Sequence, residues 1–133
     1  VKRVLDSWAI LAWLQDEKPA SDGVQNLLNL ARTGDIELKM NLINIGEVYY
    51  RSIRSEDEET AKAFWRGFGR MPIGLVGVTC SLTLIAASLK GQYPIAYADA
   101  FAAATARVEK CPLVTGDPEL RVLETLIELE WLE

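Results

Sequence analysis

The stretch Lys2-Arg3-Val4-Leu5-Asp6-Ser7-Trp8-Ala9-Ile10-Leu11-Ala12-Trp13-Leu14 changes its periodicity in mid-course, and that change decides the fold class. Lys2 to Leu5 is a short β-prone run that ends at Asp6. Ser7 is then placed to cap a helix in which Ile10, Leu11, Trp13 and Leu14 recur at helical spacing. The unit reads as strand, tight turn, helix.

The same alternation continues along the chain. Pro19 and Ala20 open a second helix with Val24, Leu27, Leu28 and Ala31 on one face, closed by Gly34 in the usual position after a C-terminus. Ile36 to Met40 is a second strand, and Asn41 caps a third helix striped by Ile45, Val48 and Tyr49. The acidic run Glu56 to Glu59 begins a fourth helix through Phe68, which Pro72 breaks. Ile73 to Val78 is a third strand; Thr79 caps a helix through Leu82, Ile85, Ala86 and Leu89, ended by Gly91. After Pro94, Ala98, Phe101, Ala102, Thr105 and Ala106 mark a helix that packs closely through small residues. Leu113 to Thr115 is a buried strand, Gly116-Asp117-Pro118 a turn starting one more helical turn, and Ile127 to Leu132 a last strand. Alternation without hairpin signals implies a parallel sheet of four to five strands covered on both faces.

Composition bounds the function. The 133 residues fit one globular domain spanning 1–133, half hydrophobic and one quarter charged, which excludes disordered and low-complexity classes. No apolar run approaches the length that crosses a bilayer. A net charge of −5 argues against broad neutralisation of duplex phosphates. Cys80 and Cys111 form no CxxC pair and no secretory signal is evident, so a reducing cytoplasm is expected. The chain begins at Val1 rather than Met, which leaves its natural start open. Absence of histidine removes Ser-His-Asp triads, Cys-His pairs and imidazole zinc sites. A protein-bound metal would be held by oxygen, which suits Mg²⁺ or Mn²⁺.

Of seven aspartates, Asp16, Asp22, Asp35 and Asp57 sit in polar stretches and read as caps or solvated charges. Asp6 follows the first strand and Asp117 follows the strand Leu113 to Thr115, so both fall at the carboxyl edge of the sheet, where open parallel sheets bind ligands. The ordinary alternative for Asp6 is a helix cap and for Asp117 an Asp-Pro turn. Asp99 begins a helix among alanines, where an unpaired carboxylate is costly. Glu47 lies in an otherwise apolar helical segment beside Gly46, and either snorkels to water or faces a charged cluster. If these acids converge, mutual repulsion raises their pKa values unless a divalent cation supplies the counter-charge. Metal-assisted attack on a phosphodiester needs no histidine. Ser7 and Thr115 would then orient a carboxylate or a phosphate.

The order and surroundings of Asp6-Ser7, Glu47, Tyr97-Ala98-Asp99-Ala100-Phe101-Ala102-Ala103-Ala104 and Thr115-Gly116-Asp117 resemble the PIN domain, particularly the VapC-type toxins of toxin-antitoxin pairs. The likeness covers nearly the whole chain. It implies a three-layer α/β/α fold and an Mg²⁺- or Mn²⁺-dependent endoribonuclease. By the same resemblance Asp6, Glu47, Asp99 and Asp117 form the catalytic, metal-binding quartet, with Ser7 and Thr115 in support. It further implies a cytoplasmic homodimer held inactive by a cognate antitoxin whose tail crosses the groove and places a basic side chain among the carboxylates. Glu119, two residues beyond Asp117, is either a further member of the site or, as the ordinary reading of a first-turn position, solvated. Arg51, Arg54, Arg66 and Arg70 are candidate RNA contacts, and Trp8, Trp13, Tyr49, Tyr50 and Trp65 are candidate partner contacts or ordinary core.

Three other readings compete. A receiver module with a phosphoacceptor aspartate needs paired acids after the first strand and a late lysine, whereas Val78-Thr79-Cys80 ends the central strand and no lysine follows Lys110. A haloacid-dehalogenase phosphatase needs Asp-x-Asp where this chain has Asp6-Ser7-Trp8. A catalytically inactive PIN-like interaction module is the remaining alternative, against which retention of all four acids argues.

Overall fold

Strand β1 (Lys2–Leu5) has apolar residues on both faces, and this dictates the layering. The computed structural model describes residues 1–132. Successive strand residues point to opposite sides, so Val4 enters an apolar cluster with Phe101, Leu113 and Leu120, while Leu5 enters another with Ile10, Leu28, Met40 and Val114. All of these are buried. A strand of this kind must be covered by helices on both sides.

The sheet has five parallel strands in the order β3-β2-β1-β4-β5, with β2 at Glu37–Asn41, β3 at Ile73–Val76, β4 at Leu113–Thr115 and β5 at Leu129–Trp131. Helices α1 (Ser7–Leu14), α2 (Ala20–Arg32), α3 (Leu42–Ser55) and α4 (Glu58–Phe68) cover the Leu5 face through Ile10, Leu28, Val48 and Phe64. Helices α5 (Cys80–Gln92) and α6 (Tyr97–Glu109), with the 3-10 turn Pro118–Leu123, cover the Val4 face through Leu89, Phe101 and Leu120. The result is three-layer α/β/α. No helix among the described residues is long and apolar enough to cross a membrane.

This strand order creates the crevice that matters. From β1 the chain proceeds outward to β2 and β3 over one face, whereas from β4 it proceeds the other way to β5 over the opposite face. The neighbours β1 and β4 therefore form the switch point of the sheet, and connections diverge beyond their carboxyl ends. Asp6 and Asp117 follow those two strands.

Local chemistry explains most element ends. Asn41 and Thr79 cap α3 and α5 as the sequence predicts, Asp57 caps α4, and Gly34 takes φ +84° beyond α2. Of the two residues that the sequence offers as the cap of α1, Asp6 rather than Ser7 takes the role: its carboxylate accepts the Ala9 N–H at 2.8 Å, and Ser7 is the first helical residue. Helix α5 also runs past Gly91 to Gln92, because the ladder continues until Pro94 interrupts it. The third and fifth strands are shorter than the apolar runs predict. Their ladders end at Val76 and Trp131, where pairing with β2 and β4 runs out.

Candidate active site

Each acidic side chain is delivered by its own local geometry. Asp6, immediately beyond β1, spends Oδ1 on the α1 cap and is fully buried, while Oδ2 is buried with no hydrogen-bond partner among the described residues. Asp117, two residues beyond β4, accepts the Glu119 N–H at 3.0 Å as it caps the 3-10 turn. Its own N–H is held by the Thr115 hydroxyl oxygen at 3.0 Å. Asp99 lies in the first turn of α6, where the helix dipole favours a carboxylate, and is 7% exposed.

Glu47 arrives from α3, and a buried amide fixes that approach. Asn44 Nδ2 donates to the Ala98 carbonyl at 2.9 Å, tying α3 to the start of α6 one residue before Asp99. Asn41 Nδ2 donates to Thr105 Oγ1 at 3.1 Å and joins the same two helices deeper in the core. Small residues make the approach possible: Ala100, Ala102, Ala103, Ala104 and Ala106 are essentially inaccessible to solvent. Glu47 itself is buried rather than solvated. Ser7 Oγ donates to its Oε1 at 2.5 Å, and Arg51 Nε donates to its Oε2 at 2.9 Å.

Ser7, Glu47, Asp99, Asp117 and Glu119 line one cleft of about 300 Å³, beside Trp8 and Arg51. Asp6 lies beneath the cleft rather than in its wall, close enough that Asp99 and Asp117 act on its charge. Burial, reinforced by those two charges, pushes the Asp6 carboxyl up to about 7, against the opposing effects of the Thr115 hydroxyl and the Ala9 amide. Asp99 is also raised to about 7, first by burial and then by Asp117, Glu47 and Glu119, with Arg51 opposing. The four acids singled out in the sequence thus meet at one edge of the sheet.

Two relationships extend the cleft beyond those four acids. Glu119 is exposed, and a carboxylate oxygen of each of Asp99, Asp117 and Glu119 lies within 4.8 Å of the others. The signal is its place two residues beyond Asp117, in the first turn of the 3-10 helix that Pro118 starts. Arg51 was counted only as a possible RNA contact, but its i,i+4 spacing from Glu47 makes it the internal counter-charge of the cleft. Arg66 and Arg70 line neither this cleft nor the groove beside it.

The donor set fits a hard divalent cation. It offers only oxygen from three convergent carboxylates, and the unpartnered Asp6 Oδ2 lies below. Trp8 braces the floor: its ring packs so closely on Gly116 that a Cβ there would stand 2.2 Å from ring carbons. Glycine between Thr115 and Asp117 is therefore a steric requirement.

Solved structures share this architecture. A chain of the VapBC2 complex from Rickettsia felis, bound to a DNA fragment from its promoter, matches with TM-score 0.75 and 17% identity over 100% of both chains. A chain of the DNA-bound VapBC complex from Salmonella typhimurium matches with TM-score 0.75 and 19% identity over 100% of this chain and 99% of that one. VapC20 of Mycobacterium tuberculosis, described as a sarcin-ricin loop cleaving toxin, matches with TM-score 0.70 and 16% identity over 90% and 93% of the two chains. At these identities the likeness speaks to fold. No curated protein matches the sequence. The PIN domain family model matches residues 3–126, nearly the whole chain, and with the acids at the switch point of a five-stranded parallel sheet it follows that this chain belongs to the PIN domain family.

Proposed function

We propose that this protein is a metal-dependent endoribonuclease and the VapC-type toxin of a toxin-antitoxin pair. The observation that carries the reading is the convergence of Glu47, Asp99, Asp117 and Glu119 on one cleft above the buried Asp6. Burial, reinforced by neighbouring acids, raises the carboxyls of Asp6 and Asp99, an arrangement that is costly unless it serves a cation, and perturbed acids at a cleft mark functional sites. Asp99, Asp117 and Glu119 would hold Mg²⁺ or Mn²⁺, with Asp6 and Glu47 completing the negative field. Bound there, the ion supplies the counter-charge and Lewis acidity that phosphodiester hydrolysis requires.

The remaining groups position these acids. Ser7 holds one oxygen of Glu47 and Arg51 the other, so the carboxylate is oriented before any ligand arrives. Thr115 fixes the backbone of Asp117 from below. Asp6 caps α1 and sets beside the cleft a buried carboxyl oxygen without a hydrogen-bond partner among the described residues, whose ionised form a bound cation would favour.

An antitoxin partner is supported by an apolar groove of about 430 Å³ near the cleft, lined by Leu11, Trp13, Leu14, Phe64 and Met71. An antitoxin segment seated there could direct a basic side chain to the acids. Homodimerisation is consistent with the apolar surface left by exposed Leu75, Val78 and Leu84 near edge strand β3 and in α5. The reading places the protein in the cytoplasm.

The decisive experiment incubates purified protein with total RNA in Mg²⁺, in Mn²⁺ and in EDTA. Cleavage is expected with either metal, none in EDTA, and background only for the Asp99→Asn and Asp117→Asn proteins. Metal-independent cleavage, or full activity in Asp99→Asn, would refute the reading. A folded protein inert towards every RNA would leave the PIN-like interaction module.

A further inference from the structure

We propose that the groove beside the acidic cleft is a subsite for single-stranded RNA, in which Arg51 and Arg54 contact phosphates and the Trp8 indole is the stacking face for one base. The proposal deepens the ribonuclease reading and rests on it for the choice of ligand. The groove measures about 400 Å³ and is lined by Trp8, Gln15, Arg51, Arg54 and Ser55, with Glu17 also in its wall. It shares Trp8, Leu11 and Arg51 with the acidic cleft, so the two cavities are contiguous.

The order of charges along α3 suits a strand leaving a reacting centre. Helical rise places Arg51 about 6 Å and Arg54 about 10 Å from Glu47 along the axis. A phosphate in the cleft would thus be followed by two cationic positions.

Both arginines have capacity for another acceptor. Arg51 donates Nε to Glu47, and its side chain is 55% exposed. Arg54 is stacked over the Tyr50 ring at 5.0 Å, an arrangement that orders the guanidinium without consuming its positive charge. The Trp8 ring packs closely on Gly116 and also lines both cavities, so its position is fixed where a base would reach it. Aromatic stacking beside a cationic track is the usual chemistry of single-strand binding. It also answers the difficulty of the −5 net charge, since affinity then depends on a local pair rather than a basic surface.

The test measures fluorescence anisotropy of a short fluorescein-labelled single-stranded RNA of mixed sequence, in EDTA, across a salt series. Arg54→Gln alters an exposed side chain, so folding is not at issue. It is expected to weaken binding and to reduce the slope of log affinity against log salt by about 0.7, one phosphate contact. Trp8→Leu is expected to weaken binding about fivefold or more with little change in slope, and Trp8→Phe to recover part of the loss. Wild-type slope and affinity in both Arg54→Gln and Trp8→Leu would overturn the subsite. Absence of RNA binding by the wild-type protein, or displacement of the probe by poly-glutamate but not by unlabelled RNA, would do the same. Binding in EDTA is read separately from cleavage. Loss of binding in the variants, with a wild-type protein that binds but never cuts in Mg²⁺, would defeat the nuclease reading and leave the subsite standing.

Discussion

Replacing Asp99 with Asn should stabilise the metal-free protein, by an amount that depends on pH in a specified way. The Asp99 carboxyl is raised from 3.8 to about 7 by burial and by Asp117, Glu47 and Glu119. In the unfolded chain it ionises near its ordinary value. Between these limits the native state binds more protons than the unfolded state, so stability falls as pH rises and levels off above about 7. A displacement of that size corresponds to ~4 kcal/mol at most. Contact with the wet cleft and sharing of the penalty among coupled acids bring the expected effect to about 2 kcal/mol. For a chain of this length that is a Tm increase of about 8 °C. Thermal melts followed by circular dichroism in EDTA, at about pH 4, 6 and 8, read the effect directly. The two proteins should coincide near pH 4 and diverge towards pH 8, with Asp99→Asn the more stable. An Asp99→Asn protein that melts at or below the wild-type temperature at pH 8, or a gap independent of pH, would refute the electrostatic account of the cleft.

Other outcomes follow from the same contacts. Mg²⁺ or Mn²⁺ at about a hundred times its dissociation constant should raise wild-type stability at pH 8 by about 3 kcal/mol, and isothermal calorimetry should find the binding lost in Asp117→Asn. Gly116→Ala should cost about 1 to 3 kcal/mol in a urea titration, because the new Cβ meets the Trp8 ring at 2.2 Å and the Thr115–Asp117 segment must move. The accompanying change in tryptophan fluorescence would identify the displaced ring. Leu113→Ala, at a fully buried position on β4, should cost about 2 to 5 kcal/mol in the same titration.

The layered parallel sheet was legible because strand and helix periodicities alternate without hairpin turns, and because Val4-Leu5 and Leu113-Val114 are apolar on both faces. The convergence of Asp6 with Asp117 could be anticipated, since they stand one and two positions beyond adjacent strands. Glu47 could not be placed in this way. Its burial depends on rotation of α3 against α6, which Asn44 and the alanines of α6 set through contacts distant in sequence. Glu119 stood open to both readings for a different reason: exposure and proximity to Asp99 are compatible at a cleft rim, and residue type does not choose between them. Strand lengths were overestimated because apolar runs continue past the last paired residue, as Gly77-Val78 does beyond β3.

The exchange of roles between Asp6 and Ser7 links helix initiation to the assembly of the cleft. Either residue can serve as an N-cap by type. Because Asp6 ends β1 with extended backbone, its carboxylate meets the Ala9 amide and takes the cap. Ser7 then stands at the first helical position with its hydroxyl free, and that hydroxyl donates to Glu47 across the layer boundary. Had Ser7 been the cap, its oxygen would have been directed at backbone amides within α1. One oxygen of Glu47 would then lack a donor, leaving Arg51 as its remaining partner in the structure. The end of β1 thus sets the start of α1, which orients Ser7, which in turn orients an acid delivered by α3. Ser7→Ala should therefore leave α1 helical while allowing Glu47 to swing, a separation that Ala at position 6 cannot produce because it removes the cap as well.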